Sequence, residues 1–253
     1  MITIAKLNEK GGVCKTTLAV HLAAILAQRG HRTLLVDGDS QGHASLASGV
    51  EREDGLSHLL NDELEFRDVI RYSANGLYSV IPSSTGTRNL AKFGTLPIVH
   101  VRERLAELDG YMDFVIIDTA PSISDLHTAF YLAADYVIFP TECEYYSIQG
   151  VIASIEHLTR AQEAGAERGY RVAQALGIVP TKYDVRESVQ QENRKFLKES
   201  FASLVWSPVR ARTAWRQAAQ FRELVTDYAP ESHAARDAET FADTVLASVG
   251  ERV

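Results

Sequence analysis

The sequence predicts an α/β fold, a mainly parallel twisted sheet flanked by helices on both faces, and three observations predict it. Short continuous apolar runs alternate with longer segments of helical periodicity. Several of these runs, as in RTLLVDGD, DFVIID and DYVIFP, stop at an aspartate or a proline. No repeat, low-complexity tract or Pro-rich linker divides the 253 residues, so a single domain over 1–253 is expected. Strands that are apolar throughout, rather than alternating, are what a sheet covered on both faces requires.

The elements follow in order. ITIAKL (2–7) is an apolar run that breaks at Asn8 into a glycine-containing loop, and Leu18, Leu22, Ile25 and Leu26 then recur at helical spacing until a stop near Gly30. RTLLVDGD is the second strand, with Asp37 and Asp39 at its carboxyl end. Residues 50–75 are more charged and irregular and read as short helices on the sheet edge. Further strands are expected at 77–82, 113–118, 135–140 and 172–180, with helices at about 97–109, 124–134 and 147–167. From Arg186 onward the pattern is mostly helical, with a short strand at LVW (204–206) and a terminal amphipathic helix, ETFADTVLASV, covering the sheet.

Composition narrows the function classes. With 45% hydrophobic and 23% charged residues the chain is ordinary for a globular protein with a substantial core. No segment approaches the roughly 20 apolar residues that span a bilayer, and the opening MITIAKLNEKGG lacks the layout of a secretory signal, so a cytoplasmic protein is expected. Two cysteines, Cys14 and Cys143, supply neither a disulfide framework nor a four-ligand metal cluster. A net charge of -7 argues against a surface coated with nucleic acid but leaves room for a local basic face.

The chemistry concentrates in KGGVCKTT (10–17), between the first strand and the first helix, where backbone N–H groups and a helix N-terminus converge on an anion. Gly11 and Gly12 let the backbone approach phosphates closely, Lys15 supplies a point charge, and Thr16 offers a hydroxyl to Mg²⁺. FVIID ends in Asp118, the Walker B pattern, which places a carboxylate to complete the metal site with Thr16. ATP and Mg²⁺ are the expected cofactors.

These residues resemble the ParA/MinD group of deviant Walker ATPases, a branch of the P-loop NTPases, and within it the ParA-like DNA-partition proteins. The matches are KGGVCKTT, LLVDGDSQGHAS (34–45), FVIIDTAPS (114–122), CEYYSIQG (143–150) and the PTKYD run (180–184). The resemblance implies a nucleotide loop formed by Lys10, Gly11, Gly12, Val13, Cys14, Lys15, Thr16 and Thr17. It implies that Lys10 reaches the partner's phosphates in an ATP-sandwich homodimer, much as an arginine finger would. It also implies that Asp39 orients the attacking water, that Asp37 supports the metal beside Thr16, Asp39 and Asp118, and that Thr181 and Pro208 lie at the adenine.

Two residues depart from the family pattern. Cys14 stands where a glycine is usual and Ser40 where a proline is usual. A small residue at 14 is tolerated if the backbone has negative φ there, and a thiol at a helix N-terminus has a physical reason for a lowered pKa. Cys14 is also the reason to weigh an adaptor that binds nucleotide and positions a cargo while scarcely hydrolysing it.

An acidic chain has a basic C-terminal region: between Lys182 and Arg222 there are nine basic and four acidic residues. Clustered cations can neutralise phosphates regardless of sequence, the footprint of non-specific DNA binding. By resemblance Arg186 and Arg212 align with DNA-contacting arginines, with Arg210 the alternative to Arg212. The sequence starts almost directly with the first strand, so no N-terminal helix-turn-helix is expected, and a separate centromere-binding, ParB-like partner is implied to stimulate a weak, DNA-stimulated ATPase. The expected location is the nucleoid.

Two other readings fit less well. A MinD-like membrane-positioning ATPase needs a basic amphipathic tail, and the tail here holds Glu231, Asp237, Glu239, Asp243 and Glu251 against Arg236 and Arg252. An iron–sulfur reductase needs paired cysteines outside the phosphate loop, which leaves Cys143 alone.

Overall fold

The computed structural model describes residues 1–90, 99–121 and 125–250. Seven strands form one sheet: β1 (Ile2–Lys6), β2 (Thr33–Gly38), β3 (Arg71–Tyr72), β4 (Ser79–Ile81), β5 (Phe114–Thr119), β6 (Tyr136–Glu142) and β7 (Gln174–Thr181). The helices are α1 (Lys15–Gln28), α2 (His43–Ala47), α3 (Gly55–Leu60), α4 (Phe66–Val69), α5 (Thr87–Leu90), α6 (His100–Ala106), α7 (Asp125–Ala133), α8 (Tyr145–Glu167), α9 (Ser188–Phe201), α10 (Thr213–Phe221), α11 (Val225–Tyr228) and α12 (His233–Gly250).

The strand order is β3-β4-β2-β5-β1-β6-β7, and every pairing is parallel except β3 with β4. The register brings Asp37 and Lys6 to either side of Asp118, so the carboxyl ends of β2, β5 and β1 finish side by side. Loops leaving that edge are where an open α/β sheet binds ligands.

Each central strand is buried on both faces. Ile4, Leu35 and Ile116 point into a layer shared with α1 and α12, while Ala5, Leu34 and Ile117 point into a layer shared with α3, α6 and α7. Continuous apolar runs are the sequence expression of this two-sided burial. The α12 helix places Ala238, Phe241, Ala242 and Val245 in the first layer, so its apolar face is taken up in packing against the sheet and α1.

The expected elements are present with shifts of one to three residues at most ends, residues 97, 98 and 124 of the expected helices lying outside the described residues. Two expectations change. The charged stretch 50–75 carries α3 and α4 as expected, but also an antiparallel edge strand, β3. LVW does not form a strand: Val205 makes a single bridge to Ile178, because the chain turns there to seat Trp206 over Gly177. A Cβ at Gly177 would lie inside the Trp206 ring, so that indole is accommodated only by the missing side chain.

Candidate nucleotide site

The loop between β1 and α1 is fastened from several sides. Asn8 Nδ2 donates to the carbonyl of Pro140 at 2.7 Å, and its Oδ1 accepts the N–H of Lys10 at 2.9 Å. Thr181 Oγ1 lies 3.3 Å from the Val13 carbonyl and 3.1 Å from that of Thr141, and so tethers the loop to β7 and β6. Thr181, expected at the adenine, is fully buried in this role and its side chain is not among those that line the cleft.

Lys15 is only 6% exposed and folds back over the loop, donating to the carbonyls of Asn8 at 2.8 Å and Lys10 at 3.0 Å. Those bonds hold the ammonium at the mouth of the loop. Thr16 Oγ1 donates to Asp118 Oδ2 at 2.6 Å, while Asp118 Oδ1 is buried with no hydrogen-bond partner among the described residues. Burial, together with the neighbouring Asp37 charge, pushes the Asp118 carboxyl up to about 7. An orphaned carboxylate oxygen beside a threonine hydroxyl is a donor set that fits a hard divalent cation.

The other acidic residues divide by task. Asp37 is fully buried and committed to the backbone: Oδ2 accepts Ser45 N–H at 2.7 Å and Ser45 Oγ–H at 2.6 Å, and Oδ1 accepts Asp39 N–H at 3.2 Å. Burial raises its carboxyl to about 6. Asp37 does not line the cleft, so it shapes the loop that carries Asp39, which does. The Asp39 carboxylate accepts the N–H of Gln41 at 2.9 Å. Among the described residues no group of three or more His, Cys, Asp or Glu side chains is arranged to hold a metal by itself. This agrees with Mg²⁺ chemistry, in which one or two carboxylates act together with substrate phosphates.

Cys14 departs from expectation twice. Its backbone has φ 65° and ψ 24°, the left-handed region, not the negative φ that would make a small side chain harmless. An L-residue held there costs on the order of 1–2 kcal/mol. Burial also pushes its thiol up, more than the charge of Lys182 lowers it, so Cys14 is not an activated thiolate.

Lys10, expected to act on a partner subunit, is engaged within its own chain. Its Nζ lies 3.1 Å from Glu142 Oε2, 3.2 Å from Glu144 Oε2 and 2.6 Å from Ser147 Oγ. Reaching another subunit requires leaving those three groups.

The loop opens into a cleft of about 1120 Å³ whose near wall is Gly11, Gly12, Cys14, Lys15, Thr16 and Thr17, with Asp39 and Pro121 beside it. Its far wall is Lys182, Asp184, Arg186 and the chain from Val209 to Thr213, followed by Trp215 and Arg216 of α10. Pro208, expected at the adenine, instead lines a small separate cavity with Trp206 and Asp237, one residue behind that wall.

Four of the nine cations of the basic region, Lys182, Arg186, Lys195 and Arg210, are paired with carboxylates among the described residues. Arg186 meets Asp184 at 2.6 Å but stays 85% exposed. Arg210 is bound at 3.0–3.1 Å through Nε to both oxygens of Asp237 on α12, which makes it an internal strut rather than a free cation. Arg212, Arg216 and Arg222, within α10 and at its two ends, are exposed and have no carboxylate at ion-pair distance among the described residues.

Four residues escaped the sequence reading. Asn8, Glu142 and Lys182 stand at the loop, but only the three-dimensional arrangement relates them to it. His21 joins the two walls: Val225 N–H donates to its Nε2 at 2.9 Å, so Nδ1 carries the proton and donates to Thr17 O at 2.8 Å. Burial lowers its pKa to about 4, which keeps this tautomer neutral. The ring packs edge-on against Trp215 at 5.1 Å between centroids.

An AAA domain family model matches residues 1–168. The chromosome-partitioning ATPase Soj of Thermus thermophilus is 36% identical over 250 residues, covering 98% of this chain and 96% of that protein. This chain belongs to the ParA/MinD family of deviant Walker ATPases. Among solved structures, an ATP complex of a substituted McdA from Cyanothece superposes with a TM-score of 0.86 at 23% identity, covering 99% of this chain and 96% of that one. Cobyrinic acid a,c-diamide synthase of Mycobacterium smegmatis, with an ATP analogue and magnesium, gives 0.82 at 24% identity over 100% and 97% of the two chains. These two likenesses establish the P-loop fold of the family member described here.

Proposed function

We propose that this ParA/MinD family member is a DNA-partition ATPase in which ATP closes a homodimer, the dimer binds non-specific DNA, and hydrolysis releases it. The observation that carries the reading is that the phosphate loop and the exposed Arg186, Arg212 and Arg216 line one cleft. A ligand between the walls changes the position of one relative to the other.

In this reading Lys15 and the backbone of residues 11–17 hold the phosphates, and Thr16 and Asp118 hold Mg²⁺, which supplies charge compensation for phosphoryl transfer. Asp39 orients the attacking water and Lys10 moves from Glu142 and Glu144 to the partner subunit's nucleotide. Arg186 and Arg212 meet DNA phosphates, and two such faces in one dimer act together through effective concentration. A centromere-binding, ParB-like protein stimulates turnover. Arg210 is left out of the DNA face because Asp237 already occupies it.

Binding of fluorescent duplex DNA over a salt series tests this. Wild type binds only with ATP and Mg²⁺, with affinity falling steeply as salt rises; Lys15→Ala and Arg186→Ala plus Arg212→Ala both lose it. Absence of DNA binding with intact ATP binding overturns the reading. The left-handed Cys14 inside the loop favours one second reading, an adaptor that binds ATP and turns it over scarcely at all. ATP turnover with and without DNA separates the two.

A further inference from the structure

Beside the phosphate loop lies a charge cluster in which one member, Lys182, has no place in the scheme above. Glu142, at the end of β6, is 15% exposed in its side chain and holds two lysines at once: Lys182 Nζ at 2.7 Å on Oε1 and Lys10 Nζ at 3.1 Å on Oε2. Burial alone would raise the Glu142 carboxyl; the two ammonium groups more than offset it and keep it ionised.

Lys182 is aimed at the loop by its backbone. It follows the last residue of β7 and has φ 49°, the left-handed region that a lysine rarely adopts. Tyr183 N–H donates to Val209 O at 3.2 Å and Ala211 N–H donates to Tyr183 O at 3.0 Å, so the chain just beyond the strained residue is fixed. The side chain lines the cleft, its Nζ is 4.0 Å from where a Cβ on Gly12 would stand, and its charge is felt by the Cys14 thiol. Non-glycine residues in such conformations persist where the surroundings over-determine them, and they cluster at ligand sites.

We propose that Lys182 is a second polyphosphate-binding lysine acting within its own chain, and that Glu142 is a latch holding both Lys182 and Lys10 until a nucleotide's phosphates compete for them. The proposal rests on the reading of the cleft as a nucleotide site. The two oxygens of Glu142 are matched by two ammonium groups, so both lysines are kept ordered and neither is left uncompensated. A polyphosphate entering beside Gly12 offers Lys182 a more highly charged acceptor than one carboxylate. Once Lys182 turns to the phosphates, Glu142 retains only Lys10, and Lys10 is then shared between Glu142, Glu144 and any subunit approaching across the cleft.

Equilibrium titration with fluorescent ADP and with a slowly hydrolysed ATP analogue, each with Mg²⁺, tests this on the full-length protein. Wild type is compared with Lys182→Met, Glu142→Gln and the double variant, each checked by its melting curve. Lys182→Met is expected to weaken both ligands about tenfold, the loss of one charge-assisted hydrogen bond. Glu142→Gln is expected to tighten them severalfold, a gain absent when Lys182 is also Met. Affinities of Lys182→Met within about twofold of wild type overturn the assignment of Lys182, and Glu142→Gln without tightening overturns the latch. Failure of wild type to bind either nucleotide overturns the reading of the cleft itself, an outcome distinct from both.

Discussion

The two walls of the cleft are built on opposite principles. On the phosphate-loop wall nearly every polar group is committed: Lys15 to two carbonyls, Thr16 to Asp118, Asp37 to Ser45, Asn8 to Pro140. On the other wall Arg212, just before α10, and Arg216, within it, are exposed. The first wall holds its groups where a phosphate and a metal need them, so little ordering remains to be done on binding. The second exposes arginines that make no ion pair among the described residues, which suits a polyanion recognised by charge alone. His21, hydrogen-bonded to Thr17 on one side and Val225 on the other, ties the rigid wall to the loose one.

The contrast breaks first at Gly38. A Cβ there would lie 2.5 Å from the Asp118 carbonyl and 2.6 Å from the Phe130 ring, so Gly38→Ala is expected to destabilise the protein by about 3 kcal/mol and to displace Asp118. Urea unfolding measures the first and magnesium-dependent nucleotide binding the second. A smaller effect separates two arginines that are near neighbours in sequence. Arg210→Ala strands Asp237, 8% exposed, and is expected to cost about 2 kcal/mol; Arg212→Ala should change stability by less than about 0.5 kcal/mol while weakening DNA binding. Equal effects of the two on stability would erase the distinction between strut and free cation.

Cys14→Gly sharpens the comparison from the rigid side. It removes the left-handed strain and is expected to raise stability by about 1 kcal/mol and to speed ATP turnover, checked by thermal unfolding and by phosphate release. A further test of the rigid side is in pH. Asp118 and Asp37 have folded-state pKa values raised to about 7 and about 6, against an ordinary value near 4. The folded protein therefore holds protons that the unfolded chain releases, so this part of the stability is present at about pH 4 and lost as pH rises to about 7. The melting temperature of the nucleotide-free protein should fall across that interval. The stabilisation by Mg²⁺ and ADP should grow across it, since the metal replaces the Asp118 proton; a flatter profile for Asp118→Asn than for wild type, with the remaining slope that of Asp37, identifies the group.

What the sequence made legible follows the same division. The loop from Lys10 to Thr17, Asp39 and Asp118 could be read because a phosphate loop is local and a doubly covered strand is written as one apolar run. Their near neighbours could not. Thr181 and Pro208 lie close in sequence to the far wall, yet one is buried under the loop and the other faces a different cavity, a matter of one residue in each case. Lys182 counted among the basic residues of the C-terminal region, but it leaves β7 with a positive φ and its ammonium comes to lie beside Gly12 of the loop. The sign of φ at Cys14 was beyond reach for the same reason: it is set by how β1, the loop and α1 join, not by the residue itself. Arg210 and Arg212 differ only in whether α12 presents an aspartate, a fact of tertiary packing.

The most direct test of a cleft that couples its two walls is reciprocity. If ATP strengthens DNA binding, saturating non-specific duplex must strengthen binding of a non-hydrolysable ATP analogue by the same factor. Titrating the fluorescent analogue with and without duplex DNA at low salt measures it. A tightening equal to the gain in DNA affinity, lost in Arg186→Ala plus Arg212→Ala, is the result expected here; nucleotide affinity indifferent to DNA would contradict it.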